Sequence, residues 1–379
     1  MRDNLVEFIQ EYYGRKDFIA LHEPVFVGKE VDYVVETLAS TFVSSVGKFV
    51  DQFEEKISAY TKSEAAVATV NGTAAIHSAL LLAGVQDGQY VITQALTFVA
   101  TCNAIKYCGA DPIFIDVDME TLGLSPSALE YWLNEYAFID DNDICRVKGD
   151  GKAIAACLPM HTFGHPVKLS ELVELCSKWH LPLVEDAAES LGSLYKGKHT
   201  GTYGELGVIS FNGNKIITSG GGGMILCSQE LAVRAKHLTT TAKKPHKFEF
   251  FHDELAFNYR LPNLNAALAL AQLESIDYFL TQKRDLAMLY KDQFAGSEYL
   301  FISEPADCRS NYWLNAIICD SRSARDDFLD FTNSANVMTR PIWTLMNHLP
   351  MYKNCIAGDL TNSLWLEARV VNIPSSVKR

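Results

Sequence analysis

Residues 66–83 read AVATVNGTAAIHSALLLA, and this stretch changes character in its middle. The part from Ala66 to Val70 is a short apolar run, which predicts a strand buried on both faces. The part from Ala74 to Ala83 predicts a helix, and Asn71-Gly72-Thr73 separates the two. The stretch therefore predicts a strand, a tight turn and a helix, the beginning of an α/β arrangement.

The same alternation of strand and helix continues along the chain. Strands are predicted at 90–92, 112–115, 153–158, 181–184, 208–211 and 224–226, and helices at 98–108, around 129–132 and at 169–179. Because the strands are apolar on both sides, the pattern indicates a parallel sheet covered by helices. We assign residues 1–240, including helices near the N-terminus, to a large domain and residues 241–379 to a smaller C-terminal domain.

The composition is that of a folded protein with reduced thiols. Hydrophobic residues make up 48% and charged residues 21% of the 379 residues, which excludes a disordered or collagen-like chain. The formal net charge of −13 argues against general nucleic-acid binding. We find no signal-peptide pattern, no apolar run of membrane-spanning length and no CxxC pair among nine cysteines. These observations predict a cytoplasmic protein without a membrane segment.

Several common catalytic patterns are absent from the sequence. It contains neither GxxxxGK[ST] nor GxGxxG, the usual nucleotide-phosphate loops, and no GxSxG nucleophile elbow. His161 and His165 have the i, i+4 spacing of zinc ligands on a helix. However, His-Thr-Phe-Gly-His-Pro has the composition of a loop, and the glutamate of an HExxH motif is missing. We therefore predict no metal site.

Four segments carry chemistry that is more informative together than singly. The turn before the helix at Thr73 can bind an anion with free N–H groups, although it could be an ordinary helix cap. Asp186 ends a strand and can hold a cationic nitrogen, or could also cap a helix. Lys215 precedes the glycine run 220–223 and can form an imine, whereas most lysines are simply exposed. Phe98 can stack on a planar cofactor or merely pack in the core.

An anion site, an acid, a lysine and an aromatic ring are the four groups that pyridoxal phosphate needs. At this point the sequence resembles the DegT/StrS-type sugar aminotransferases, a family of fold-type I pyridoxal-phosphate enzymes. The motifs that carry the resemblance run in order through nearly the whole chain. They are Ser44-Ser45, Asn71 to Ala75, Thr97 to Thr101, Pro159 to Gly164, Glu185 to Glu189, Ser210-Phe211 with Lys215, Phe257 to Arg260, Arg340 to Trp343, and Ile373 to Ser376.

The resemblance implies an α/β fold with a mostly parallel, seven-stranded sheet flanked by helices and a smaller C-terminal α+β domain. Within the family, Phe211 to Ile216, Arg340 to Trp343 and Met351-Tyr352 most resemble the LegC-type branch. That branch implies transfer of the amino group of L-glutamate to C4 of a UDP-linked 4-keto-6-deoxy-2-acetamido sugar. The product would serve legionaminic acid or bacillosamine synthesis for surface glycans such as lipopolysaccharide, with ping-pong kinetics.

The resemblance also implies roles for individual residues around the cofactor. Lys215 would carry the cofactor aldehyde as an imine, Asp186 would pair with the pyridine nitrogen, and Phe98 would stack on the ring. Glu189 would contact the phenolic oxygen, at a position where the family often has Gln or His. The phosphate would be held by Gly72, Thr73 and Ser210.

Other implied roles concern the partner subunit and the substrate. Asn258 would reach the phosphate of the neighbouring subunit, which implies a homodimer with shared active sites. Candidates for contacts with the sugar nucleotide are Ser44, His161, Arg340, Trp343 and the cluster Lys243 to Lys247. Rival functions are an aminotransferase for another keto-sugar, such as a GDP-linked hexose or an eight-carbon sugar acid, and a non-catalytic regulatory protein. Sugar dehydratases of the family carry His where Lys215 stands, so the sequence argues against that activity.

Overall fold

A seven-stranded sheet forms the centre of the protein, in a computed structural model that describes residues 2–378. Its strands are β1 Ala65–Thr69, β2 Tyr90–Gln94, β3 Asp111–Ile115, β4 Ile154–Leu158, β5 Val184–Asp186, β6 Leu206–Ser210 and β7 Gly223–Cys227. The spatial order is β3-β2-β4-β5-β6-β7-β1, in which parallel bridges at Cys157–Leu183 and Met160–Asp186 join β4 to β5. Only β7 runs against its neighbours, so the predicted, mostly parallel sheet is confirmed.

Helices between the strands cover this sheet. They are Gly72–Leu82, Val99–Tyr107, Pro126–Tyr136, Leu169–Lys178 and Gln229–Thr239. Ile76 and Leu80 of the first helix are buried in one apolar cluster with Val208 of β6. Full burial of such a side chain contributes about 1.5–3 kcal/mol, so this packing holds the start of the helix against the strand ends.

A smaller layer follows the loop at 240–262. Its helices are Asn263–Glu274, Ile276–Gln293, Arg322–Ser334 and Thr361–Glu367. Its antiparallel sheet has the order Leu300–Phe301, Asn315–Ile318, Val370–Ile373 and Arg340–Pro341. The first two of these helices meet at Ser275. The predicted boundary at residue 240 falls at the start of the loop and stays a prediction.

The N-terminal helices do not all pack where the predicted domains place them. Leu5 and Ile9 of helix Arg2–Tyr13 are buried against Tyr290 and Phe328, which belong to the smaller layer. Helices Glu30–Ser40 and Lys48–Thr61 pack against helix Asn263–Glu274. Helix Lys48–Thr61 also contacts β1. The first helix therefore belongs with the C-terminal part, because its apolar face finds its partners there.

The remaining elements are short. Strands Ala137–Ile139 and Cys145–Val147 form a hairpin, and Leu194–Tyr195 pairs with both Lys198–His199 and Cys308–Arg309. Single 3₁₀ turns occur at Thr162–Gly164 and Met346–His348. Within residues 2–378, no helix combines the length and the apolar character that a membrane crossing requires.

Candidate active site

A cavity of about 640 Å³ lies at the carboxyl ends of β1, β5 and β6. This is the edge of a parallel sheet at which ligands usually bind. Nine of the twelve predicted site residues line it: Gly72, Thr73, Phe98, Asp186, Glu189, Ser210, Lys215, Arg340 and Trp343. The fold therefore brings together residues from five separate motifs of the sequence.

The turn after β1 forms an anion site at one side of the cavity. Asn71 caps helix Gly72–Leu82, because its Oδ1 accepts a hydrogen bond of 2.8 Å from Ala74 N. The N–H groups of the first helical turn have no partner within a helix, and they carry the positive end of the helix dipole. A Cβ added at Gly72 would lie 2.9 Å from Ser210 Cβ, so glycine is needed for this close approach. Thr73 and Ser210 add hydroxyl groups beside the turn.

Asp186 supplies a carboxylate deep in the same cavity. Its side chain is almost fully buried, and its Oδ2 accepts a hydrogen bond of 2.7 Å from the Thr101 hydroxyl. Ala188 N donates to Oδ1 over 3.2 Å. Burial raises the pKa of the Asp186 carboxyl, and these two hydrogen bonds lower it in part. Within residues 2–378 no cation forms an ion pair with Asp186, so a protonated ring nitrogen would find an available counter-ion there.

Lys215 and Glu189 form a buried pair opposite Asp186. Lys215 Nζ lies 3.4 Å from Glu189 Oε1, and the two side chains are only 11% and 2% exposed. Phe163 N donates to Glu189 Oε2 over 2.9 Å, which leaves Oε1 facing the amine. Burial raises the pKa of Glu189 to about 7, against the opposing charge of Lys215. Near neutral pH this carboxyl can therefore either hold a proton or give it up.

Trp313 is a site residue that the sequence analysis missed. Its ring centroid lies 4.1 Å from Lys215 Nζ, a distance typical of a cation–π contact. The indole Nε1 donates to Asn214 O over 2.7 Å. No motif around Trp313 indicates this role, because the two residues lie far apart in the sequence.

Aromatic and basic side chains form the outer wall of the cavity. Phe98 is 46% exposed, and its ring lies 6.2 Å from that of Trp343 in an edge-to-face contact. Arg340 Nη1 donates to Asn333 Oδ1 over 3.2 Å and to Thr339 O over 3.1 Å. Apart from Lys215, Arg340 is the only Lys or Arg among the described residues that line the cavity. It is therefore the available cation for an anionic part of a substrate.

His161 does not contact the cavity, so the structure gives no support to its predicted contact with substrate. Its side chain is fully buried, and its Nε2 donates to Glu185 Oε2 over 3.1 Å while its Nδ1 accepts from Val167 N over 3.2 Å. Burial acts to raise the pKa of Glu185, but hydrogen bonds from His161 and from the N–H groups of Gly204 and Gly201 hold it below its usual value. His161 therefore anchors the backbone behind the site.

The other predicted contacts lie on the surface of the single chain. Ser44 and Asn258 are exposed and do not line the cavity. The Lys243 to Lys247 cluster lies in the exposed segment before Asn258, where Lys244 Nζ pairs with Asp253 over 2.7 Å. A role of these residues at a neighbouring subunit's site stays a prediction.

A second cavity of about 760 Å³ contains none of the predicted site residues. It is lined by residues that include Tyr131, Trp132 and Asp116. Asp116 follows β3, and its carboxylate already accepts hydrogen bonds from Asn362 N and from the N–H and hydroxyl of Ser363. At its position after β3, Asp116 therefore fixes the first turn of helix Thr361–Glu367 of the smaller layer.

The donor set of the 640 Å³ cavity fits pyridoxal phosphate. The helix N-terminus with Thr73 and Ser210 suits a phosphate, and the buried Asp186 suits a protonated pyridine nitrogen. The cradle at Gly72 leaves no room for a Cβ, as expected where a turn closes on a small anionic group. Lys215 offers an amine in the same cavity, as the aldehyde would require.

Comparison with known proteins identifies the family. The model of the DegT/DnrJ/EryC1/StrS aminotransferase family matches residues 26–378. The chain is 36% identical to GDP-perosamine synthase of Escherichia coli O157:H7 over 94% of this chain and 93% of that protein. It is 37% identical to the putative pyridoxal phosphate-dependent aminotransferase EpsN of Bacillus subtilis, over 88% and 84% of the two chains.

Solved structures agree with this assignment. The aminotransferase TlmJ from Streptoalloteichus hindustanus superposes with a TM-score of 0.85 at 26% identity, over 94% of this chain and 93% of that chain. The expected fold-type I architecture, the cofactor and the enzyme class are thus confirmed together. The chain belongs to the DegT/DnrJ/EryC1/StrS aminotransferase family and is a pyridoxal-phosphate-dependent sugar aminotransferase.

Proposed function

We propose that this enzyme transfers the amino group of L-glutamate to C4 of a GDP-linked 4-keto-6-deoxy sugar. The observation that carries the proposal is the match to GDP-perosamine synthase over more than nine tenths of both chains. The match favours the GDP-linked alternative over the UDP-linked sugar that the LegC-type resemblance implied. Position C4 and L-glutamate as donor come from the family resemblance.

Different residues of the cavity would bind different parts of the cofactor. When bound, pyridoxal phosphate supplies an electron-withdrawing ring that stabilises negative charge on the carbon next to the transferred nitrogen. The N-terminus of helix Gly72–Leu82, with Thr73 and Ser210, would hold its phosphate. Asp186 would keep the ring nitrogen protonated, and the exposed face of Phe98 would support the ring. Glu189 would face the phenolic oxygen.

Lys215 is the residue that moves protons. Its Nζ can take a proton from the α-carbon of the donor and return a proton at the acceptor carbon of the sugar. A positioned acid or base of this kind typically contributes about 10²–10⁴-fold to the rate. Glu189 Oε1, 3.4 Å from Nζ, can accept a hydrogen bond from this amine and so hold it in the cavity between the two transfers.

Arg340 and Trp343 are the proposed substrate contacts. L-Glutamate and a nucleotide sugar are both anionic, and Arg340 offers a guanidinium that can bind a carboxylate or a phosphate in two-point contact. The Trp343 ring packs 5.2 Å from Phe163 and forms an apolar wall beside Arg340. This wall belongs to the smaller layer, so it can vary without changing the cofactor contacts.

We also propose that the enzyme is a homodimer. On helix Glu30–Ser40, Val31, Val35 and Leu38 share one helical face and are 73%, 56% and 55% exposed. The segment around Asn258 is also apolar, with exposed Phe248, Phe250, Phe251 and Leu255. Apolar surface of this extent on a folded chain usually marks an interface. A second copy is the proposed partner, because Asn258 has no site to serve in its own chain.

A mixing experiment tests the shared site. K215A and N258A variants should each be inactive alone, because each lacks one component of every site. In randomly mixed dimers, half of the molecules carry one intact site of two, so about a quarter of the wild-type activity should return. A mixture that stays inactive, although the two variants exchange subunits, would show that Asn258 acts elsewhere.

A direct assay tests the substrate. The protein with L-glutamate is given GDP-4-keto-6-deoxymannose or UDP-2-acetamido-2,6-dideoxy-4-hexulose, and the products are measured by mass spectrometry. We expect an amine only from the GDP-linked sugar, and none with K215A. Amination of the UDP-linked sugar alone would return the proposal to the LegC-type activity. The imine of the bound cofactor should give the protein a yellow absorption band. If L-glutamate bleaches this band but neither sugar is aminated, the enzyme must use another acceptor.

The regulatory alternative has a test of its own. A K215A variant that kept all biological activity would support the non-catalytic role. We keep the cytoplasmic location as a proposal, which is supported by the nine cysteines of the sequence, an odd number without a CxxC pair.

A further inference from the structure

Trp313 covers one side of the catalytic amine. The residue is 4% exposed, and its ring centroid lies 4.1 Å from Lys215 Nζ. Its Nε1 donates to the carbonyl oxygen of Asn214, the residue directly before Lys215, over 2.7 Å. The indole thus contacts both the amine and the backbone from which the lysine projects. An aromatic face in this position attracts a charged amine and also keeps water away from it.

Asn311 holds Trp313 in this place. The backbone N of Trp313 donates to Asn311 Oδ1 over 2.8 Å, and Asn311 Nδ2 donates to Glu189 O and to Leu191 O over 2.9 Å each. The amide is fully buried. Its two Nδ2 bonds reach the loop after β5, whereas the bond from Trp313 N is local. A Cβ at Gly164 would lie 1.8 Å from Asn311 Oδ1, so this glycine makes room for the amide.

We propose that Trp313 is a positioning residue for Lys215 and that Asn311 sets its orientation. In the cofactor-free protein, the indole face keeps the Lys215 amine inside the cavity and shields it from bulk water. A free lysine side chain has about 2 kcal/mol of rotamer entropy, so an unsupported Nζ would sample many positions. This inference rests on the proposed role of Lys215 but not on the identity of the sugar.

Labelling of Lys215 in the cofactor-free, full-length protein tests the proposal. Trinitrobenzenesulfonate reacts with uncharged, accessible amines, and peptide mass spectrometry gives its rate at Lys215 near neutral pH. Loss of a cation–π contact should speed this reaction by about 2- to 30-fold in W313L. W313F keeps an aromatic face and should stay close to the wild type. The exposed Lys56 provides an internal reference that no variant should alter.

A second measurement separates positioning from general damage. Pyridoxamine phosphate binds through phosphate and ring contacts without needing the Lys215 amine, so its affinity should be unchanged in W313L. W179L, which removes a buried indole that does not line the cavity, should leave the Lys215 labelling rate unchanged.

Three results would overturn the proposal. The first is a Lys215 labelling rate in W313L equal to that of the wild type, and the second is a rate in W313F as fast as in W313L. The third is a loss of pyridoxamine phosphate affinity in W313L, which would show that the indole supports the whole cavity. The proposed function can be tested separately with K215A. This variant should lose the visible absorption band of the imine between Lys215 and the cofactor, whichever sugar is the acceptor.

Discussion

Replacing Glu189 with Gln should change how the stability of the cofactor-free protein depends on pH. Burial raises the pKa of this carboxyl from 4.5 to about 7 in the folded state, with the charge of Lys215 opposing the rise. The folded protein therefore binds this proton more tightly than the unfolded chain does. As the pH rises from about 4.5 to about 7, the unfolded chain loses the proton first, so the folded state loses stability.

The size of this effect follows from the same two values. A difference between 4.5 and about 7 corresponds to about 3 kcal/mol, reached in full only above the folded-state pKa. Gln has nearly the same shape and no charge. The stability of E189Q relative to the wild type should therefore increase by about 3 kcal/mol between about pH 5 and about pH 8. The attraction between ionised Glu189 and Lys215 is already contained in the folded-state pKa, so only the difference between Gln and the protonated Glu remains as an offset that does not vary with pH.

Glu185 provides a matched control of opposite sign. It is also a fully buried glutamate, but its hydrogen bonds from His161, Gly204 and Gly201 lower its pKa despite burial. Its ionised form therefore stabilises the fold above the unfolded-state pKa, and this contribution is lost as the pH falls. E185Q should therefore be less stable than the wild type near neutral pH. In acid, this difference in the free energy of unfolding should become smaller.

Urea unfolding of the two variants and the wild type at several pH values measures both effects. At each pH, the urea concentration at the midpoint multiplied by the dependence of the unfolding free energy on urea concentration gives the free energy of unfolding in water. Parallel curves for E189Q and the wild type would refute the reasoning, because they would mean that Glu189 titrates alike in the folded and unfolded states. Curves for E189Q and E185Q that shift in the same direction with pH would refute it as well.

Three further predictions concern the cofactor and the substrate. A Cβ in G72A would lie 2.9 Å from Ser210 Cβ, so cofactor affinity in equilibrium dialysis should fall at least tenfold. T101V removes a hydrogen bond of 2.7 Å to Asp186, worth roughly 1.5–3 kcal/mol, so the affinity should fall by about 10- to 100-fold. T101S keeps the hydroxyl group and should retain the cofactor affinity of the wild type. R340A should raise KM for the anionic substrates in steady-state assays and leave the cofactor absorption band unchanged.

The sheet and the turn after β1 could be predicted from the sequence because both depend on local signals. The apolar run of β1 is buried on both faces, and Asn71 caps the following helix as its residue type suggests. The glycine run 220–223 is visible in the sequence, but its neighbour is not. A Cβ at Gly223 would lie 2.4 Å from Asn71 O, so the run passes close to the turn after β1. Only the tertiary structure shows this close approach.

Ligands usually bind at the carboxyl ends of the strands of a parallel sheet. This rule indicates which residues lie near the site, but it does not give the direction of their side chains. Adjacent residues of a strand point to opposite faces of the sheet. Asp186 lines the cavity, whereas Glu185 points away from it and meets His161. A sequence pattern that places His161 after a strand cannot decide between these two faces. Trp313 lies beyond such rules altogether, because its contact with Lys215 depends on how the smaller layer docks.

The site has two walls of different origin, and this division bears on specificity. Asp186, Glu189 and Lys215 follow strands of the large sheet, so the chemistry of the amine depends on the rigid centre of the fold. Arg340 and Trp343 come from the smaller layer, whose strand Arg340–Pro341 pairs with Val370–Ile373. Changes in that strand can alter the fit of a sugar nucleotide while the cofactor contacts stay in place. One amination chemistry can therefore serve different keto-sugars while Asp186, Glu189 and Lys215 stay unchanged.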